Sequence, residues 1–206
     1  MLTIWGRQNS SNVKKVLWCA DELGISYENV TAGGPFGVVN TPEYRAMNPN
    51  GLVPCIKDDD FILWESNAIV RYLCAKHGDG VWFAHDLKQR AMADQWMDWA
   101  NSTFAGPFRD LFLNTVRLPV EQRKKDVAQR ALQICAGHLK IVDAALSKKP
   151  FLSGDNFGMG DIPLACSIYV WFEMAIERPP LAHLEAWYRR LALRPVYRNR
   201  VMIELT

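Results

Sequence analysis

Asn48-Pro49-Asn50-Gly51-Leu52-Val53-Pro54, followed by Glu65-Ser66-Asn67-Ala68-Ile69, is the stretch on which the fold turns. Asn48-Pro49-Asn50-Gly51 is a strong turn signal. Val53 to Ile56 reads as a strand interrupted by Pro54, because proline cannot donate to a sheet ladder. Such a proline sits on an edge strand or follows a cis bond. In the second case the N–H and C=O of Val53 stay available to a peptide-like ligand that adds as a strand. Asp58-Asp59-Asp60 is a polar hairpin turn, and Phe61-Ile62-Leu63 returns. Glu65-Ser66-Asn67 then opens a helix with Ala68, Ile69, Tyr72 and Leu73 on one face. That helix start is either an ordinary cap or a carboxylate site built from free N–H groups, the dipole and the Ser66 hydroxyl. With Glu65 accepting from an ammonium group, the second reading fits an α-amino acid.

Upstream, Leu2-Thr3-Ile4-Trp5 reads as a strand stopped by Gly6. Ser10-Ser11-Asn12 leads into a helical stripe of Val13, Val16, Leu17, Ala20 and Leu23, closed by Gly24. A helix start with hydroxyls and an amide is a plain N-cap or an anion site, and a thiolate is such an anion. Ile25 to Val30 reads as a second strand, residues 31–39 as a glycine-rich loop, and Thr41-Pro42-Glu43-Tyr44 as a helix start. The order is β-α-β-α-β-β-α over residues 1–77.

Downstream of Gly78-Asp79-Gly80 the character changes. From about residue 86 to 206 no convincing strand occurs. Met92, Trp96, Trp99 and Thr103 follow helical spacing, as do Val127, Ala131, Cys135, Leu139, Val142 and Leu146. Prolines punctuate this half into helices. In Phe157-Gly158-Met159-Gly160-Asp161, the Asp161 carboxylate is placed to bond back to the Gly158 amide. The chain is therefore an α/β domain over 1–77, a linker, and an all-α domain over 86–206.

The bulk numbers exclude several classes. Hydrophobic residues make up 49% of the chain, enough for a core and against disorder. A formal charge of +2 gives no electrostatic case for nucleic acid or a membrane surface. No apolar run is long enough to span a bilayer, and the N-terminus does not read as a signal or transit peptide. Five cysteines at irregular spacing, without CxxC, indicate neither a disulfide framework nor a metal site. The location expected is cytoplasmic, with reduced thiols.

The joint spacing of the first strand, Ser10-Ser11-Asn12, Asn48 to Pro54, and Glu65 to Leu73 resembles the cytosolic glutathione S-transferase superfamily, in a bacterial, theta-like form with a serine or asparagine site. Asp161 within residues 157–162 resembles that superfamily's capping motif. The resemblance implies a thioredoxin-like N-terminal domain and an all-α C-terminal domain. It implies glutathione as co-substrate, no metal, a small hydrophobic electrophile and a homodimer. Val53, before a cis Pro54, is implied to pair with the cysteinyl backbone, and Glu65 and Ser66 to hold the γ-glutamyl end, with Asn50 beside them. Ser10 and Asn12, with Ser11 next, are implied at the sulfur. Trp99, Thr103, Phe104, Phe108 and Trp171 are the candidates for an apolar electrophile wall, each with core packing as the alternative. Arg7 and Arg109 are candidates to orient an anionic substrate.

Departures from the family pattern narrow the class. No tyrosine lies near the end of the first strand and no cysteine in residues 8–14. Leu52 stands where a basic residue often meets the glycyl carboxylate, so Arg7 or the loop near Asn40 is expected there. Gly158 replaces the usual Ser or Thr cap. Two rival functions share the fold: a glutathione-dependent disulfide reductase, and a non-catalytic interaction protein.

Overall fold

The structure, a computed structural model, describes residues 1–206 except Asp79, Val81, Phe83 and Thr206. Of the expected linker and the expected domain end, those four positions lie outside the described residues.

Four strands form one mixed sheet: β1 (Leu2–Trp5), β2 (Tyr27–Val30), β3 (Cys55–Asp58) and β4 (Phe61–Trp64), in the order β2-β1-β3-β4. β2 runs parallel to β1, while β3 is antiparallel to both β1 and β4. β2 and β3 are each displaced from the sequence expectation. Ile25 stays outside β2, and β3 starts at Cys55, so Val53 and Pro54 precede the ladder. The reason is local: Pro54 has no N–H to pair, and the Val53–Pro54 bond is cis. Asp59 and Asp60 make the two-residue turn between β3 and β4, with Asp59 at φ 55°.

Around the sheet lie α1 (Ser11–Glu22), α2 (Pro42–Met47) and α3 (Ser66–His77). The helical half follows with α4 (Leu87–Trp99), α5 (Ala105–Phe112), α6 (Lys125–Leu146), α7 (Ile162–Glu173), α8 (Ala182–Ala192) and α9 (Pro195–Arg200). A π-helical turn, Ala100–Phe104, joins α4 to α5, and a second, Leu113–Arg117, follows α5.

α1 is the element both halves share. It packs on α3 on one side and on α7 and α9 on the other. Every residue from Val13 to Ala20 is consequently buried, Lys14 and Lys15 included. Trp18 stacks on Phe157 at 5.2 Å between ring centroids and meets Tyr197 at 4.8 Å. Gly6 lets β1 run close over this helix, since a Cβ there would lie 2.4 Å from a Val13 methyl. Two ion pairs lock the arrangement: Arg194 holds Glu22 through two bonds of 2.7 Å, and Arg200 holds Asp21. No described helix is long and apolar enough to cross a membrane.

Asp161 carries more than the sequence indicated. Its carboxylate accepts from Gly158 N at 3.2 Å, as expected. It also accepts from Leu152 N at 2.8 Å, Ser153 N at 3.2 Å and the Trp187 indole at 2.9 Å. One fully buried side chain thus fixes the loop before α7 and ties it to α8.

Candidate active site

Ser10 is the N-cap of α1 by backbone position (φ −84°, ψ 125°), yet its hydroxyl makes no capping bond. The plain-cap reading therefore does not account for this side chain. Ser11 and Asn12, in the first turn, are exposed. Across from them, Glu65 precedes α3 at φ 74°, a region costly for any residue but glycine and populated at sites that hold ligands. Its side chain makes no cap bond either. Ser66 begins α3 and is buried, with its Oγ 3.4 Å from Asn12 Oδ1. The starts of α1 and α3 therefore converge, and two positive dipole ends face one space.

That space has two compartments. Asn50, Val53, Pro54, Glu65 and Ser66 line a small cavity of about 50 Å³, and Asn12 closes it from α1. Ser10, Ser11 and Asn12 also line a larger cleft of about 390 Å³ that runs to α5. Asn12 belongs to both. Every residue expected at the γ-glutamyl, cysteinyl and sulfur positions is thus brought together.

The turn expected at Asn48 to Gly51 is present, and side-chain bonds that the sequence does not show hold it in front of Val53. Asn48 is buried and accepts from Asn50 through both the backbone N–H (3.1 Å) and the side-chain amide (3.0 Å). Its own amide donates to Leu52 O at 2.8 Å, and Tyr44 Oη donates to the same carbonyl at 2.6 Å. Gly51 sits at φ 61° with the Arg45 guanidinium against it, so a side chain here is doubly disfavoured. Arg45 also bonds Asn40 Oδ1 (2.9 Å) and Pro49 O (2.8 Å). It puts a cation against Gly51, next in the chain to the exposed Leu52.

The electrophile wall differs from expectation. Phe108 lines the larger cleft, joined by Ala105, Phe112 and Leu113. Phe104 and Trp171 are each 1% exposed and lie in the core. Trp99 stacks on Phe104 at 5.9 Å and meets His138, and neither Trp99 nor Thr103 lines the cleft. Thr103 and Phe104 lie within the π-helical turn at Ala100–Phe104, whose extra residue shifts them off straight helical spacing, while Trp99, ahead of the turn, is taken up by its packing on Phe104 and His138. Trp171 belongs to α7, which is buried almost all round.

The cleft is cationic. Arg7, Arg109, Arg117 and Lys15 line it, and among the described residues no carboxylate does. Burial and the like charge of Arg7 lower the affinity of Arg117 for its proton. Lys15 is also pushed down, chiefly by burial. Among the described residues no group of three or more His, Cys, Asp or Glu side chains is placed to hold a metal ion.

Comparison with known proteins gives the family and the fold. The family models for the glutathione S-transferase N-terminal and C-terminal domains match residues 9–76 and 92–195. Glutathione S-transferase GstB of Escherichia coli K12 is 44% identical over the whole of both chains. Glutathione S-transferase 4 of Zea mays is 28% identical over 93% of this chain and 88% of its own. A crystal structure of the theta class glutathione S-transferase from Xanthomonas axonopodis pv. citri, with glutathione bound, superposes with a TM-score of 0.96. It is 54% identical and covers 100% of this chain and 99% of its own.

Proposed function

The chain belongs to the glutathione S-transferase family, and from that premise we propose that Ser10, Asn12, Val53, Glu65 and Ser66 hold glutathione for attack of its sulfur on an electrophile in the cleft beside α5. It is a glutathione transferase. The observation that carries the residue assignment is the convergence of Asn12 and Ser66, 3.4 Å apart, on a cavity that Val53 and Glu65 also line.

In this reading the free N–H groups of α3 and the Ser66 hydroxyl take the γ-glutamyl carboxylate, and Glu65 takes its ammonium group. The Val53 backbone pairs with the cysteinyl residue, and Asn50 stands beside it. The sulfur lies at the start of α1, where the Ser10 hydroxyl and the Asn12 amide donate to it. A free thiol titrates near 8.5, and a helix N-terminus with donors to the anion lowers that value. A drop of two units takes about 3 kcal/mol of selective stabilisation, within reach of one or two charge-assisted bonds. Arg45 is the cation for the glycyl carboxylate. Phe108, Phe112 and Leu113 supply the apolar wall for the electrophile, and Arg7 and Arg109 suit one that also carries a negative charge.

The disulfide-reductase and non-catalytic readings have no observation of their own in support. A homodimer is supported by exposed apolar side chains on β4 and α4. Phe61, Ile62 and Trp64 of the edge strand β4 are exposed, as are Leu87 and Met92 of α4. A cytoplasmic location suits five buried free thiols.

Calorimetry with glutathione, followed by the pH dependence of conjugation in Ser10→Ala and Asn12→Ala, tests the reading. Binding is expected in all three proteins, with the rate profile of at least one variant displaced to higher pH. No heat from the wild type, or unmoved profiles in both variants, refutes the assignment.

A further inference from the structure

Lys15 is an anomaly of α1. It is 6% exposed, in a helix wedged between α3 and α7, and burying an ammonium group is costly unless something compensates. Its Nζ donates to Asn12 Oδ1 at 2.9 Å and lies 3.5 Å from Ser66 Oγ. Both partners are neutral. Neither bond is made by a carboxylate, although Glu65 stands at the start of α3 close enough to act through its charge.

The identity of the partners fixes an orientation. An ammonium group only donates, so it must meet the carbonyl end of the Asn12 amide. Ser66 Oγ takes the second position on the same oxygen. With the oxygen held from below, the two N–H bonds of Asn12 are left for the cleft, into which this exposed side chain reaches. Rotating the amide by half a turn would set its NH₂ against the ammonium.

We propose that Lys15 is a positioning residue for the transferase reaction: its buried ammonium holds the Asn12 carbonyl, turns the Asn12 N–H groups toward the glutathione sulfur, and sets a positive charge behind the thiolate. This rests on the glutathione reading of the site. It assigns the charge balance as well. Bound glutathione brings a γ-glutamyl carboxylate to Ser66 and a thiolate to Asn12, the two residues Lys15 touches, so the buried cation gains its counter-charge when the substrate arrives.

The groups facing Lys15 leave its effect readable. On α7, Cys166 is pushed up to about 12 by burial and stays a neutral thiol through the working range. On α1, Lys14 turns away and donates to Val201 O at 3.0 Å. Ahead of α3, the charge of Glu65 acts on it.

The test is the ultraviolet thiolate band of bound glutathione as a function of pH in wild type, Lys15→Met and Lys15→Arg. The thiol in Lys15→Met is expected to titrate about one unit higher, which is about a tenfold loss of thiolate below both values. kcat should fall more than KM for glutathione rises, and Lys15→Arg, which keeps the charge, should recover part of the loss. In an Asn12→Ala background the Lys15→Met shift should shrink, because the amide it orients is gone. A wild type that binds glutathione with a lowered thiol titration, beside a folded Lys15→Met that titrates identically, overturns the proposal and leaves the glutathione site intact. A wild type that binds no glutathione overturns the site itself. Should Lys15→Met not fold, the wild type decides through the side-chain amide resonances of Asn12. They must move with the thiol titration, and resonances that ignore it overturn the proposal.

Discussion

Asn67 Nδ2 donates to the backbone carbonyl of Met97 at 2.7 Å, with Asn67 7% exposed and Met97 fully buried. The bond joins the first turn of α3, one residue past Ser66, to the last turn of α4. Further along α3, Arg71 reaches the same helix through Asp94 and Asp98. The helix start proposed to take the γ-glutamyl carboxylate is therefore held in place from the helical half of the molecule.

Asn67→Ala should cost about 1–3 kcal/mol of stability, because it leaves a buried carbonyl without its donor. It should also raise KM for glutathione several-fold while kcat changes less, since the ligand end of α3 loosens but the thiolate donors on α1 do not. Urea unfolding and steady-state kinetics measure the two effects. An unchanged KM in a destabilised variant would show that this tie serves folding alone.

Asp161 offers a sharper stability test. Three backbone N–H groups and the Trp187 indole converge on its carboxylate. Asp161→Ala strands all four and should cost about 3 kcal/mol or more, which for a chain of this size lowers Tm by roughly 10 °C. Asp161→Asn keeps one acceptor and should lose less. Thermal unfolding with equal losses in the two variants would mean that packing, not the acceptor set, explains the residue.

How far the sequence anticipates the site depends on the scale of the interaction. Short-range chemistry is legible. Pro54 in an apolar run, Asp161 three residues after Gly158, and a serine at each helix start all announce themselves, because their geometry is fixed within a few residues. Two things are not legible. The π-helical turn at Ala100–Phe104 takes Thr103 and Phe104 off straight helical spacing, and the residues themselves carry no sign of it. The burial of Lys15 is the second, since it comes from the packing of α1 between α3 and α7, contacts far apart in the sequence. The pair Lys14-Lys15 inside the otherwise apolar run Val13 to Ala20 was the available hint.

Asp58 gives a pH dependence with a definite sign. It ends β3, and its carboxylate accepts from Lys76 Nζ at 2.6 Å and Tyr72 Oη at 2.7 Å, tying the sheet to α3. The Lys76 bond, with that of Tyr72, holds the carboxyl below its ordinary value of 3.8 in the folded chain. A carboxyl with a depressed folded value contributes stability above its unfolded value, and that contribution is lost as pH falls through the folded one. Asp58→Asn should therefore lower Tm at pH 7, and the gap to wild type should close below about pH 4. Tm measured at several pH values between 3 and 7 checks this, and a constant gap would exclude the linkage.

The lining of the larger cleft bears on the second substrate. Arg109 and Phe108 of α5 both line this space, as does Ser10, so it offers a cation and an aromatic side chain together. Arg7 approaches from the loop after β1, close enough for its charge to act on Arg117. An anionic group on the electrophile would relieve that repulsion and accept a charge-assisted bond from Arg109. Such a bond contributes about 1.5–3 kcal/mol, so Arg109→Ala should lower kcat/KM for a carboxylate-bearing aryl halide by about tenfold or more. For the neutral amide of the same halide the loss should be small, because the apolar wall of Phe108, Phe112 and Leu113 is untouched. Raising the salt concentration should weaken the preference for the anionic substrate in wild type and have little influence on it in the variant. Equal losses on the two halides would instead place Arg109 in the support of α5, with no hand in choosing the electrophile.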